Sequence, residues 1–199
     1  MKNLILAIFA HPDDEVLACG ATLAKLADEG NLVKLLILSK GCSSRESYDE
    51  KKRISACKKS CINLGIELIK IGDFPDNQFD KNTLLTYCKF LEKHALVLNP
   101  DIVFTHGNND LNIDHKITEQ AVRIAFRPNK TKENFQMLSC EINSSSEWNL
   151  GNEFEPNYFL NIEKYIKKKI DSMKIYDDEL CKWPHPRSLE GIMIRAQQR

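Results

Sequence analysis

Apolar residues recur along this chain in two alternating rhythms. Leu4 to Phe9 is an unbroken apolar run, long enough for a strand buried on both faces of a parallel sheet and too short for a helix. From Glu15 the apolar positions Val16, Leu17, Leu23 and Leu26 return at helical spacing until Gly30, a residue suited to the position just past a helix. Leu32 to Leu38 predicts a second buried strand. Gly41-Cys42-Ser43-Ser44-Arg45 reads as loop, and Tyr48 to Leu64 as a Lys-rich amphipathic helix stopped by Gly65.

The alternation continues. Ile66 to Ile71 predicts strand three, Leu84 to Leu98 a helix, and Asp101 to Thr105 strand four. Asp114 to Phe126 predicts a helix capped by Asp114 and broken at Arg127-Pro128-Asn129. Phe135 to Ile142 follows as a strand, Ile162 to Leu180 as one long basic helix, and a last helical piece comes after Trp183-Pro184-His185-Pro186. In the basic helix, Lys164, Lys167, Lys168 and Lys169 read as an exposed face. Strands alternating with helices predict an α/β fold, Rossmann-like, in three α/β/α layers with a mostly parallel sheet joined by right-handed crossovers. Residues 1–199 are expected to form a single catalytic domain.

Composition narrows the partners. Lys+Arg and Asp+Glu balance at 28 each, so no overall field draws the chain to nucleic acid or an anionic membrane. No apolar stretch approaches the ~20 residues of a membrane helix, and the apolar start flows into His-Pro-Asp-Asp-Glu without a signal-peptide cleavage site. The seven cysteines are odd in number and scattered, with no CxxC pair, which predicts free thiols in the cytoplasm. Cys57 and Cys61, four apart on a predicted helix, are expected as small buried hydrophobes.

Against that background the polar chemistry is concentrated at two strand ends. Ligands of open α/β sheets lie beyond the carboxyl ends of the strands. Strand one delivers Ala10-His11-Pro12-Asp13-Asp14-Glu15, and strand four delivers His106 through His115. Catalytic zinc takes three N or O ligands and keeps one position for water, whose pKa falls to about 7. His11 and Asp14 at one turn and His115 at the other could supply them, which leaves the carboxylate of Asp13 free to act as base. Acidic residues at a helix start are also what capping and the helix dipole favour, so spacing alone leaves both readings open.

At these residues the chain resembles the LmbE/PIG-L family of N-acetylglucosamine deacetylases. Ala-His-Pro-Asp-Asp-Glu at 10 to 15 matches the family's first signature, and Asp110-Leu111-Asn112-Ile113-Asp114-His115 its second. Gly20-Ala21-Thr22, the Asp76 loop, Thr105-His106, Arg127-Pro128 and His185-Pro186-Arg187-Ser188 are further points of likeness. The resemblance implies zinc held by His11, Asp14 and His115, Asp13 as general base, and an N-acetyl sugar as the small-molecule substrate. Ferrous iron would suit the same ligands. It further implies that Arg53, Asp76 and Asn77 lie near the sugar; His185 and Arg187 are candidates for the same role, and Asp114 joins the catalytic candidates. Oligomerisation of identical chains is compatible with this reading.

Two departures from the family pattern matter. Many members carry a histidine where this chain has Asn112, and an Asn amide can donate a hydrogen bond to an oxyanion but cannot deliver a proton. Proton delivery then falls to Asp13, with His106 expected as helper. The chain also stops at Ala196-Gln197-Gln198-Arg199, where members continue into a further segment, so a missing C-terminal piece is expected. Two rivals stay open: a receiver-like signalling domain binding magnesium through Asp13 and Asp14 with Asp73 as phosphoacceptor, and a family member that binds zinc and sugar without turnover.

Overall fold

The computed structural model describes residues 2–42 and 49–199. Its frame is five parallel strands: β1 (Leu4–Phe9), β2 (Leu32–Ser39), β3 (Glu67–Phe74), β4 (Ile102–His106) and β5 (Gln136–Cys140), in the order β3-β2-β1-β4-β5. Alternate residues of β1 serve opposite layers, as the strand period of two requires. Ile5, Ala7 and Phe9 face a core shared with α1 (Asp14–Asp28), α2 (Glu50–Leu64), α5 (Ile166–Ile175) and α6 (Leu189–Gln198). Leu6, Ile8 and Ala10 face the core made with α3 (Leu84–His94) and α4 (Ile113–Ala125). The result is the expected three-layer α/β/α fold.

The order of strands fixes where a site can form. From β1 the chain winds outward to β2 and β3, then crosses back to β4 on the other side. The crevice beyond the ends of β1 and β4 is the switch point where such sheets bind ligands.

Several elements differ from expectation for local reasons. The long basic helix is only α5, ending at Tyr176 (φ −91°, ψ 58°), after which the chain turns and carries Glu179 into the interior. Lys169, expected on an exposed face, is buried; its Nζ donates to the carbonyls of Leu17 (2.9 Å) and Ala18 (3.4 Å). Those carbonyls flank the kink in α1 at Cys19 (φ −137°, ψ 23°), and a side chain reaching into the helical ladder is an established cause of a kink. Helix α3 stops at His94 ahead of a short 3₁₀ turn, Leu96–Leu98. Asp114 is not the cap of α4; Asn112 is, its side chain accepting from the N–H groups of Asp114 (2.8 Å) and His115 (3.4 Å). Cys57 and Cys61 are buried core residues. The loop expected at 43–45 and the helix start expected at Tyr48 lie outside the described residues.

Candidate metal centre and its arginine flank

The turn after β1 places two successive carboxylates in opposite directions. Asp13 has φ 108° and ψ −30°, a backbone region that non-glycine residues adopt only when their surroundings enforce it. Its side chain makes no cap hydrogen bond. Gly41, with φ 68°, lets β2's exit pass close to this turn, since a Cβ there would lie 3.1 Å from Pro12 Cδ.

Asp14 turns toward the histidines. Its Oδ2 lies 3.4 Å from His11 Nδ1 and 3.4 Å from His115 Nε2, and those two nitrogens are 3.3 Å apart. Ligands about 2.0–2.1 Å from a tetrahedral zinc are separated by about 3.3–3.4 Å. Two imidazoles and a carboxylate, all buried and converging at that spacing, therefore fit a zinc-type ion.

The remaining polar groups hold this triad in place. Asp114, fully buried, accepts from His11 Nε2 (2.9 Å) and from the N–H groups of Asn77 (2.6 Å) and Phe79 (3.0 Å). Asp76 Oδ1 stands 3.1 Å from the same His11 nitrogen. Asp110 does the equivalent for His115, at 3.0 Å from Nδ1, and is itself held by the Asn112 N–H and the hydroxyls of Ser145 and Ser146. Two other donor groups, His106-Asp110-His115 and His11-Asp76-Asp114, could also hold an ion. Their carboxylates already serve backbone and hydroxyl donors, so we read them as the outer partners that orient ligand histidines. Burial disfavours a charged imidazole at both histidines, yet carboxylates outweigh it: Asp14 and Asp110 push His115 up to about 9, and Asp114, Asp14 and Asp76 hold His11 well above its usual value. A pocket that attracts protons this strongly is one that would welcome a cation.

His106, expected as a helper in proton delivery, lies behind His115. It is fully buried, stacks on His115 at 4.0 Å, and uses Nε2 to accept the Ala10 N–H at 2.9 Å. Burial, then the charge of His115, hold it well below the usual imidazole range.

Asp13 turns toward arginines. Arg53 Nη2 lies 3.4 Å and Arg187 Nη1 3.7 Å from its Oδ2, and Glu179 ties the two guanidiniums together at 2.7 Å from each. Burial raises the Asp13 carboxyl and the arginines pull it back, leaving it at about 6. Of the residues expected near the sugar, Arg53 and Arg187 flank Asp13, Asp76 stands against His11, and Asn77 joins them through Asp114 and Asp76. His185 accepts the Arg187 N–H through Nδ1 (3.1 Å) and shapes the turn that presents Arg187.

Sequence reasoning missed two acidic residues here. Glu15 is fully buried, accepting from Tyr176 Oη (2.6 Å), Ser60 Oγ (2.9 Å) and the Asp13 N–H (3.0 Å), and burial pushes it up to about 7. It pins the turn from inside the core. Glu179 lies in an acidic stretch, Asp177-Asp178-Glu179, that looks solvated until the chain's turn is known. Asp73, the phosphoacceptor of the receiver-like alternative, has a largely exposed side chain paired with Lys40 at 2.8 Å.

Fold and site together define an α/β protein with a candidate two-histidine, one-carboxylate metal centre at its switch point. A family model described as PIG-L: GlcNAc-PI de-N-acetylase matches residues 6–126, and the chain belongs to that family. It is similar to the uncharacterized deacetylase YaiS of Escherichia coli, 28% identical over 175 residues, spanning 85% of this chain and 88% of that one. The diacetylchitobiose deacetylase of Thermococcus kodakarensis is 24% identical over 190 residues, 88% of this chain and 69% of the relative. Among solved structures, an A40926 pseudoaglycone deacetylase superposes with TM-score 0.75 at 19% identity, covering 100% of this chain and 92% of its own. A 4-carboxy-2-hydroxymuconate hydratase from Pseudomonas putida does so at 0.72 and 21%, covering 100% and 86%. The fold is therefore shared with more than one chemistry, and the reaction has to be argued from the site. Among the described residues, no helix is long and apolar enough to cross a membrane.

Proposed function

We propose that this protein is a zinc-dependent N-deacetylase that hydrolyses the acetamide of an N-acetylhexosamine unit in a nucleotide-linked, lipid-linked or small-molecule conjugate. The observation that carries the reading is the pair Asp13 and Asp14, with Asp14 set among imidazoles and Asp13 held beside them near pKa 6. Carboxylates whose environments push their pKa values apart mark separate roles in acid–base chemistry.

His11, Asp14 and His115 would hold the ion, which when bound supplies a Lewis acid that polarises the amide carbonyl and acidifies water. Asp13 accepts a proton from the attacking water as its oxygen bonds to the carbonyl carbon. The Asn112 amide, whose oxygen caps α4, has its NH₂ group left to donate to the carbonyl oxygen as negative charge develops. As the C–N bond breaks, Asp13 returns the proton to the departing nitrogen, giving acetate and a free amine. With His106 neutral and buried, Asp13 serves both transfers. The likeness to a diacetylchitobiose deacetylase supports an acetamido sugar as substrate, and seven free thiols suit a reducing compartment such as the cytoplasm.

The test is acetate release by zinc-loaded protein across a panel of N-acetylhexosamine conjugates. Release is expected from at least one conjugate and should collapse in Asp13→Ala while zinc content persists. No release from any conjugate, or full activity in that variant, would sink the reading. The hydratase of similar fold marks the competing class, and addition of water to a double bond with no acetate formed would favour it.

A further inference from the structure

A sizeable cleft lies apart from the metal centre. Between the outer edge of β5 and the irregular segment 151–160 lies a cleft of about 770 Å³, and none of His11, Asp14 or His115 lines it. Its volume falls within the range of small-molecule sites, about 300–1,000 Å³. One end abuts the metal centre through sequence, since Asn109 lines the cleft and the next residue, Asp110, contacts His115.

The lining restricts the ligand. Lys169, Arg195 and Arg199 are matched by Glu141, Glu153 and Glu155, and Glu141 pairs with both arginines. A wall with balanced charge gives no advantage to phosphate, carboxylate or nucleic acid. What remains is rich in side-chain amides, from Asn108, Asn109, Asn143, Asn152 and Asn157, and in rings, from Phe154, Tyr158 and Phe159.

Asn109 is the decisive residue. It is 3% exposed, and neither its Oδ1 nor its Nδ2 has a hydrogen-bond partner among the described residues. Buried amides are rarely left unsatisfied without a reason. Its corner is shared with Phe154 because residue 107 is glycine; a Cβ there would lie 2.6 Å from Asn109 Oδ1 and 3.2 Å from Phe154 Cδ2. An amide that both donates and accepts complements neighbouring hydroxyls. Exposed rings such as Tyr158 (58%) and Phe159 (61%) offer an electron-rich face to C–H groups. A pyranose carries both features, a rim of hydroxyls and a face of C–H bonds.

We propose that this cleft binds a neutral saccharide unit, with its hydroxyls on Asn109 and its C–H face on the rings of segment 151–160. A peptide strand added to the edge of β5 is the competing occupant, but such a strand is held through main-chain groups. It gives no reason for the amides and rings on the facing wall. The saccharide assignment stands on the cleft's own residues and does not require the metal centre to turn over.

The test is a backbone NMR titration of the 199-residue chain with triacetylated chitotriose. Saturable shifts are expected at residues 107–109, 137–141 and 151–160. The exposed double variant Tyr158→Ala/Phe159→Ala and the single variant Asn109→Leu should each weaken binding about tenfold or more. If Asn109→Leu fails to fold, the surface double variant still decides. Absence of shifts, shifts confined to residues 11–15 and 110–115, or shifts unaltered by the variants would overturn the proposal, as would binding of an extended Val/Thr hexapeptide in place of the sugar. Acetate is not the readout, so the cleft can fail while the deacetylase reading stands, and the reverse.

Discussion

Asp13 and Asp14 are neighbours in sequence, yet they belong to two different regions of the molecule. On the Asp14 side stand imidazoles backed by carboxylates; on the Asp13 side stand guanidiniums tied by Glu179. Both carboxylates are buried, and burial alone would raise both. At Asp14 the charge and hydrogen bonds of His115 and His11 overcome it and hold the group well below the usual range. At Asp13 the arginines, at 3.4 and 3.7 Å, are shared with Glu179, so burial prevails and the group rests at about 6. Identical side chains one residue apart thus differ in charge state, and the proposed reaction uses that difference: one stays charged against a cation and one exchanges a proton near neutrality.

The sharpest way to break this contrast is to remove the histidine side. Asp14→Ala and His115→Ala should each lose stoichiometric metal and lower kcat/KM by on the order of 10³-fold or more, the scale of losing several kcal/mol of transition-state stabilisation. A chelator should do the same to the unaltered protein, with recovery on adding zinc; metal analysis alongside initial rates checks both. Asp13→Asn comes next. Its expected loss is roughly 10²–10⁴-fold in kcat, the range for a general acid–base group, with metal content unchanged. Should Asp13→Asn shed the metal as well, the two sides would be one unit and the division of roles would fail.

How much of this contrast could be read from the sequence depends on the residue. The Asp14 side was legible because its donors sit at strand ends that the β-α alternation locates, and because the family's two motifs fall there; spacing alone left helix capping as an equal reading. The Asp13 side was not. Arg53 and Arg187 were visible only as candidates for the sugar, and Glu179 was hidden inside an expected helix running to Leu180. That helix stops because the chain has to turn at Tyr176, whose hydroxyl is fastened to Glu15 on the far side of the core. Periodicity records which face a helix buries but not a hydrogen bond between residues 15 and 176. Lys169 illustrates the same limit: it looks like one more surface lysine, and only the kink in α1 explains its burial.

A smaller effect separates the two arginine-side influences on Asp13. The proposed reaction requires the Asp13 carboxylate unprotonated, so kcat/KM should rise with pH through about 6. Arg53 stabilises the charged form, so Arg53→Met raises the Asp13 pKa and moves this limb to higher pH, by about one unit for loss of one nearby charge. Glu179 acts in the opposite sense, and Glu179→Gln should move the limb to lower pH. A pH–rate profile for both variants would show opposite displacements. Displacement in the same direction would mean that the pair acts by positioning Asp13 rather than by its field.

The smallest expected effect concerns the backbone that makes the two directions possible. Asp13 holds φ at 108°, a conformation costly for a residue with a Cβ and open to glycine. Asp13→Gly and Asp13→Ala both delete the carboxylate, so both should lack the base and release acetate equally poorly. Their difference isolates the backbone. Asp13→Gly should be more stable than Asp13→Ala by about 1–2 kcal/mol, seen in thermal unfolding as about 2–4 °C of Tm for each kcal/mol in a chain of this size. Equal stability would mean that the turn relaxes once the carboxylate is gone, so that the ion pairs of Asp13 with Arg53 and Arg187 create the strained turn. A stability gap would mean the reverse: the turn is imposed by the Glu15 anchor and the close approach of Gly41, and it aims Asp13 at the arginines whether or not they attract it.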